Sequence, residues 1–237
     1  MGAATAAVPA SGAHPMDATP AFEHCNPDLL AALPKDARRL VEVGCSSGAL
    51  AREYRRANPS CHYTGVEVVA EYARYARSHC DAVLELDIET VDEAFLRERL
   101  PGDCWIFGDV LEHLRDPWGL LARVRRVIPA GGSVVACIPN AQNWSVQARL
   151  CRGAFRYENV GLLDRTHLRW FTRQTIAEMF DGAGFAIVDA RARVFDAPKD
   201  ARILAAIRAL AESVGANPDA AARDALPLQY VIRAVPA

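Results

Sequence analysis

From Arg38 onward, short β-rich runs alternate with longer helical patterns, and this alternation leaves the chain few ways to fold. Arg39–Gly44 reads as a buried strand ending at a glycine, and the helical spacing from Ala49 to Asn58 stops at Pro59. Further strands are expected over His62–Val68, Ala82–Asp87, Cys104–Asp109 and Ser133–Ile138. Helices are expected over Ala70–Cys80 and Trp118–Ile128. Thr172 is a natural N-cap for a helix running to Gly182. Phe185–Val194 and Gln229–Val235 read as two last strands, with an Ala-rich helix over Ala201–Val214 between them. Such alternation specifies an α/β class: a doubly wound, mostly parallel seven-stranded sheet with helices on both faces. Ligands of such sheets sit at the carboxyl ends of the strands, so chemistry is expected at Gly44–Gly48, Glu67, Asp87 and Asp109.

Composition narrows the class further. Of 237 residues, 51% are hydrophobic, enough to fill one large core, and no apolar run approaches the roughly 20 residues that cross a bilayer. The formal net charge of −2 gives no electrostatic reason to expect a nucleic acid partner or an anionic membrane. Seven cysteines, odd in number and without a C-x-x-C pair, point to reduced thiols in the cytoplasm rather than to disulfides or zinc. Residues 1–24 lack the basic start and apolar centre of a signal peptide and are expected to be a disordered tail. The domain then spans 25–237, with a late helical insert at about 198–226.

The sharpest local signal is Val41-Glu42-Val43-Gly44-Cys45-Ser46-Ser47-Gly48-Ala49-Leu50. A glycine-bearing turn between a strand and a helix brings backbone amides up to a ligand. A dinucleotide site would need G-x-G-x-x-G, and the third glycine is misplaced here. Gly44-Cys45-Ser46-Ser47-Gly48 also spells the serine hydrolase elbow G-x-S-x-G. That elbow needs an oxyanion loop upstream, for which a tail and one strand leave no room. The third option is a nucleoside ligand without phosphates.

The stretch resembles motif I of class I S-adenosylmethionine-dependent methyltransferases, acidic-x-G-x-G-x-G, with Ser46 at the middle glycine. The resemblance spans roughly Asn26–Val194, and it implies a Rossmann-like fold with S-adenosylmethionine as cofactor. By this resemblance Glu42, Gly44, Cys45, Ser46 and Gly48 form the cofactor loop. Glu67, which ends the second strand with Val68 beside it, accepts from the ribose hydroxyls. Asp87 accepts from the adenine amino group and Ile88 packs on its ring, although Asp87 would serve equally as a helix cap.

Asp109-Val110-Leu111-Glu112-His113-Leu114-Arg115-Asp116-Pro117 resembles a segment of quinone-pathway O-methyltransferases that lies beside the reacting methyl. Asp109, Val110 and Leu111 would then line the cofactor and His113 is a candidate base; alternatively the segment only orients a loop and Asp116 caps the next helix. Some thirty residues separate the fifth strand from the helix at Thr172, a length that in a loop points to function. Pro139-Asn140 through Leu163-Asp164-Arg165-Thr166-His167-Leu168-Arg169-Trp170 resembles small bacterial methyltransferases of surface-polysaccharide clusters. From it Trp144, Tyr157 and Trp170 are expected to stack on an acceptor, and Arg165 and Arg169 to hold an anion. His167 is favoured slightly over His113 as proton acceptor, with Asp164 a further catalytic candidate; alternatively a hydrogen bond from His167 to Asp164 only fixes the loop. No metal-ligand constellation is evident, although the resemblance to quinone-type enzymes leaves a divalent ion at Glu112 and His113 as an alternative. The expected activity is methyl transfer to a hydroxyl of a sugar or glycan precursor. A phenolic or quinone-like acceptor, or a non-catalytic S-adenosylmethionine-binding partner protein, are the alternatives.

Overall fold

The computed structural model describes residues 25–237; the tail expected over residues 1–24 lies outside them. Seven strands form one sheet: β1 (Arg39–Val43), β2 (His62–Glu67), β3 (Ala82–Glu85), β4 (Cys104–Gly108), β5 (Ser133–Pro139), β6 (Phe185–Arg193) and β7 (Gln229–Pro236). Their order is β3-β2-β1-β4-β5-β7-β6. The first five run parallel, while β7 is antiparallel to both β5 and β6. The sheet therefore winds outward in both directions from the β1–β4 seam, and its crevice opens at the carboxyl ends of those two strands.

Alternation along the central strands builds two cores, one on each face. Trp105 and Phe107 of β4, with Val134, Ala136 and Ile138 of β5, point to one side. Cys104 and Ile106, with Val135 and Cys137, point to the other. All nine side chains are fully buried, as expected of strands sandwiched between helices.

The expected helices appear as α2 (Ala49–Ala57), α3 (Ala70–Ala76), α5 (Pro117–Val127), α7 (Arg173–Gly182) and α8 (Ala201–Ser213). α3 is shorter than its pattern, ending at Ala76 rather than Cys80. Thr172 caps α7 in a reciprocal box with Thr175. Four short helices add to these: α1 (Pro27–Ala32), α4 (Glu93–Arg99), α6 (Trp144–Cys151) and α9 (Pro218–Asp224). α6 corrects the reading of the long segment after β5 as a single loop. Asn143 caps it through the Ser145 amide at 3.0 Å, and the irregular stretch begins only at Arg152. α8 and α9 lie between β6 and β7, in the span expected for a late helical insert.

Candidate functional site

The loop between β1 and α2 has an unusual backbone. Gly44, Ser46 and Gly48 all take left-handed conformations, with φ of +70°, +47° and +82°. The two glycines do so without steric cost; Ser46, where the motif ordinarily has glycine, adopts the same geometry under strain. Neighbouring carbonyls and one carboxylate hold the loop. Gly44 and Cys45 amides donate to the Val66 carbonyl, and the Gly48 amide donates to that of Cys45. Glu67, buried at the end of β2, accepts from the Ser46 amide through Oε2 at 2.8 Å and from the Val69 amide through Oε1 at 2.9 Å. Each oxygen keeps a second lone pair, the number a vicinal diol needs. The Ser46 hydroxyl is buried and has no partner within the chain. A left-handed glycine cradle, a carboxylate with unused lone pairs and an orphan hydroxyl together fit the ribose and amino-acid ends of a nucleoside.

The other expected cofactor residues divide. Val110 meets Gly44, Val68 is exposed beside Glu67, and Cys45 is buried beneath the loop. Ile88 and Leu111 belong to the core cluster. Asp87 acts as a cap, accepting from the Glu89 amide at 2.9 Å, while its other oxygen lies 3.3 Å from Arg115. Glu42 is turned into the sheet face, accepting from the Tyr63 hydroxyl at 2.9 Å. Burial raises its carboxyl to about 8, against the hydrogen bond from Tyr63. Asp109 has a left-handed φ of +55° and accepts from the Gln229 amide of β7.

Past Asp109 the chain makes a short 3₁₀ turn over Leu111–His113, and Asp116 then caps α5 through the Gly119 amide. The 164–170 segment folds back onto this turn, because the Leu168 and Arg169 amides both donate to the Glu112 carbonyl, at 2.8 and 2.9 Å. His113 and His167, 54 positions apart in sequence, thereby meet edge to face with ring centroids 4.8 Å apart. A Glu112 carboxylate oxygen and a ring nitrogen of each histidine lie within 4.8 Å of one another, close enough to share a proton or a cation. Burial, reinforced by nearby Asp109, pushes the Glu112 carboxyl well above the usual carboxylate range. Burial and the neighbouring His113 hold His167 below the ordinary histidine value.

Two expectations for this segment are corrected. The Asp164 carboxylate does not bind the His167 ring. It accepts from the Thr166 hydroxyl at 2.6 Å and the Thr166 amide at 2.8 Å, while His167 Nδ1 faces the Leu162 carbonyl at 3.3 Å. Arg169 does not point at an anion, because its guanidinium donates to the Arg115 carbonyl and lies over the Trp118 ring at 5.7 Å. Trp144, half-buried, opens α6 against the turn after α9: its amide donates to the Ala225 carbonyl at 2.8 Å, and its buried indole Nε1 has no partner within the chain. The polar run around it is a clasp: Asn140 donates to the Asp224 and Pro227 carbonyls, and Asn143 to those of Leu226 and Pro227. Both asparagines are buried.

What remains beside the histidines is aromatic. Trp170 stands edge-on to His167 at 5.9 Å, Phe155 meets Trp170 at 5.4 Å, and Tyr157 meets Phe155 at 5.9 Å. Tyr157 is 60% exposed, so the ladder runs from the histidine pair to the surface. Sequence reasoning missed Phe155, which carried no motif signal and is found only by its contacts. Arg165 is exposed.

Known proteins share this fold. A family model described as a methyltransferase domain matches residues 21–190. The chain belongs to the class I S-adenosylmethionine-dependent methyltransferases. S-adenosylmethionine is accordingly its cofactor. Among curated relatives, a ubiquinone biosynthesis O-methyltransferase of Xylella fastidiosa is 24% identical over 103 residues, 42% of this chain and 41% of that protein. A malonyl-[acyl-carrier protein] O-methyltransferase of Geobacter sulfurreducens is 28% identical over 173 residues, 71% of this chain and 61% of that protein. The chain thus spans about two fifths of the length of the first of these relatives. The fold is shared with a methyltransferase from Archaeoglobus fulgidus, at a TM-score of 0.58 and 18% identity, covering 85% of this chain and 87% of that one. It is also shared with the magnesium protoporphyrin IX methyltransferase of Synechocystis solved with bound S-adenosylhomocysteine, at a TM-score of 0.57 and 11% identity, covering 89% and 80%. No helix among the described residues is long and apolar enough to cross a membrane.

Proposed function

We propose that this methyltransferase moves the methyl group to a hydroxyl oxygen, and that the acceptor is a sugar or glycan precursor. The observation that carries oxygen transfer is the histidine pair, joined through Leu111 and Glu112 to the Val110 that packs on Gly44. An alcohol is a poor nucleophile until its proton leaves, and a neutral imidazole near pH 7 is suited to take it, worth about 10²–10⁴-fold. The cofactor brings an electrophilic methyl on a sulfonium. The chain's own task is to hold the hydroxyl in line with that carbon, which can supply roughly 7–11 kcal/mol of the barrier. In this reading Glu67 and the 44–48 loop, with Asp87 and Val68 at their edge, hold the nucleoside. Tyr157 and Trp170 offer ring faces to the acceptor, and Arg165 a charge to any anionic group on it.

Support for a sugar is the likeness of the 139–172 segment to polysaccharide-cluster enzymes, with the exposed ring faces. A phenolic acceptor is the second reading, favoured by the ubiquinone O-methyltransferases among the relatives. Seven free thiols, all but Cys25 and Cys151 fully buried, suit a cytoplasmic setting. Incubation with methyl-labelled S-adenosylmethionine and separate panels of nucleotide sugars, lipid-linked sugars and catechols tests the proposal. Label on a sugar oxygen supports it, label on a phenol selects the second reading, and label on nitrogen or carbon overturns oxygen transfer.

A further inference from the structure

The hydrogen bonds around the histidine pair distinguish its two members. His113 Nδ1 lies 3.1 Å from the Thr166 hydroxyl oxygen and 3.2 Å from the Thr166 carbonyl oxygen. The same hydroxyl lies 2.6 Å from Asp164 Oδ1. Burial would raise the Asp164 carboxyl, but the Thr166 hydroxyl and amide and the nearby histidines hold it below its ordinary value, so it is ionised. A carboxylate only accepts, and the Thr166 hydrogen is therefore committed to Asp164. What the Thr166 oxygen then presents to His113 is a lone pair, and the carbonyl presents another. With acceptors on both sides, Nδ1 must carry the ring hydrogen and Nε2 the lone pair.

We propose that Thr166 is a positioning residue, backed by Asp164, that fixes His113 as the Nδ1–H tautomer and so makes its Nε2 the proton acceptor for the attacking hydroxyl. The assignment rests on oxygen transfer as proposed above and reverses the preference for His167. His167 also donates through Nδ1, to the Leu162 carbonyl, but that bond leads to no carboxylate; Asp164 acts on its ring only through space, and burial and the neighbouring His113 outweigh it. In the step, the acceptor O–H bond breaks and its proton moves to His113 Nε2. The oxygen pair forms the new C–O bond while the methyl–sulfur bond breaks and its pair stays with sulfur. The charge left on His113 faces Thr166, whose hydroxyl already points its own hydrogen at Asp164. A carboxylate held behind a histidine in this way both orients the ring and stabilises its protonated form; here a threonine hydroxyl stands between them.

The ring nitrogens report the tautomer directly. Long-range proton–nitrogen spectra of the full chain labelled at histidine, with the His113 signals assigned by their loss in His113→Gln, are recorded for wild type, Thr166→Val and Thr166→Ser near pH 8. The expected result is a wild-type His113 with hydrogen on Nδ1, a rise of the Nε2–H form in Thr166→Val, and a return to the wild-type pattern in Thr166→Ser. Hydrogen on Nε2 in wild type, or a Thr166→Val ring spectrum superimposable on wild type, would overturn the assignment. Equal melting temperatures for the serine and wild-type chains confirm that the comparison is between folded proteins. The tautomer is read without any acceptor, so a chain that shows the Nδ1–H ring yet transfers methyl groups only to nitrogen or carbon refutes oxygen transfer and leaves the hydrogen-bond assignment intact.

Discussion

A methyl group on Gly44 would stand 2.6 Å from Val110 Cγ2, so the loop after β1 and the segment after β4 touch at a point where no side chain fits. This contact joins the 44–48 loop, proposed to hold the nucleoside, to the turn carrying His113. Gly44→Ala adds both a left-handed strain and a clash, which together should cost about 2–4 kcal/mol. Urea unfolding should show the midpoint falling with an unchanged slope, and S-adenosylmethionine affinity should fall with it. An alanine variant as stable as wild type would show that the two segments part freely.

Ser46→Gly separates strain from binding. It removes a left-handed L-residue and a buried hydroxyl without a partner, against the entropy that a glycine adds to the unfolded chain. The expected net gain in the ligand-free protein is about 1 kcal/mol in stability, accompanied by weaker S-adenosylmethionine binding. Higher melting with unchanged affinity would mean that the Ser46 hydroxyl is not reserved for the cofactor.

The buried Glu42 gives a pH signature. Its folded-state value of about 8 lies above the ordinary 4.5, so the folded chain holds the proton more tightly. That contribution is fully present below the ordinary value and is lost as pH rises through about 8. Glu42→Gln keeps an acceptor for Tyr63 and cannot ionise. Its stability relative to wild type should therefore rise between pH 5 and 8, by on the order of 3 kcal/mol. Denaturant titrations of both proteins at three pH values check this, and a pH-independent difference would contradict it.

Asn140→Ala should loosen the end of the insert. It leaves the Asp224 carbonyl without its donor and the Pro227 carbonyl with that of Asn143 alone, a loss of about 1–3 kcal/mol. Hydrogen exchange should speed up over 218–229 and remain slow in β1 and β4. Uniform acceleration across the sheet would show that the clasp supports the whole fold rather than the insert.

The parts that the sequence made legible are those whose pattern is local. Continuous apolar runs such as Val134–Ile138 and periodic faces such as Ala49–Ala57 marked strands and helices within a residue or two. Three short helices escaped, because α1, α4 and α6 offer about two turns of periodicity at most and depend on caps such as Asn26 and Asn143. The antiparallel setting of β7 left no trace in its alternation, which reads the same in either direction. Of the site, the loop and Glu67 were visible through spacing. The Asp164–Thr166–His113 chain was not, since it depends on a fold-back across 53 positions. Arg169 misled because a guanidinium satisfied by a carbonyl and a ring face looks the same in sequence as one awaiting an anion.

Glu67 joins the loop through the Ser46 amide, and we propose that it receives the ribose. Isothermal titration of S-adenosylmethionine into wild type and Glu67→Gln measures this most directly. Losing charge-assisted hydrogen bonds from a buried carboxylate should weaken binding by about 10–100-fold, roughly 1.5–3 kcal/mol. Equal affinities in two proteins with the same melting temperature would contradict the assignment.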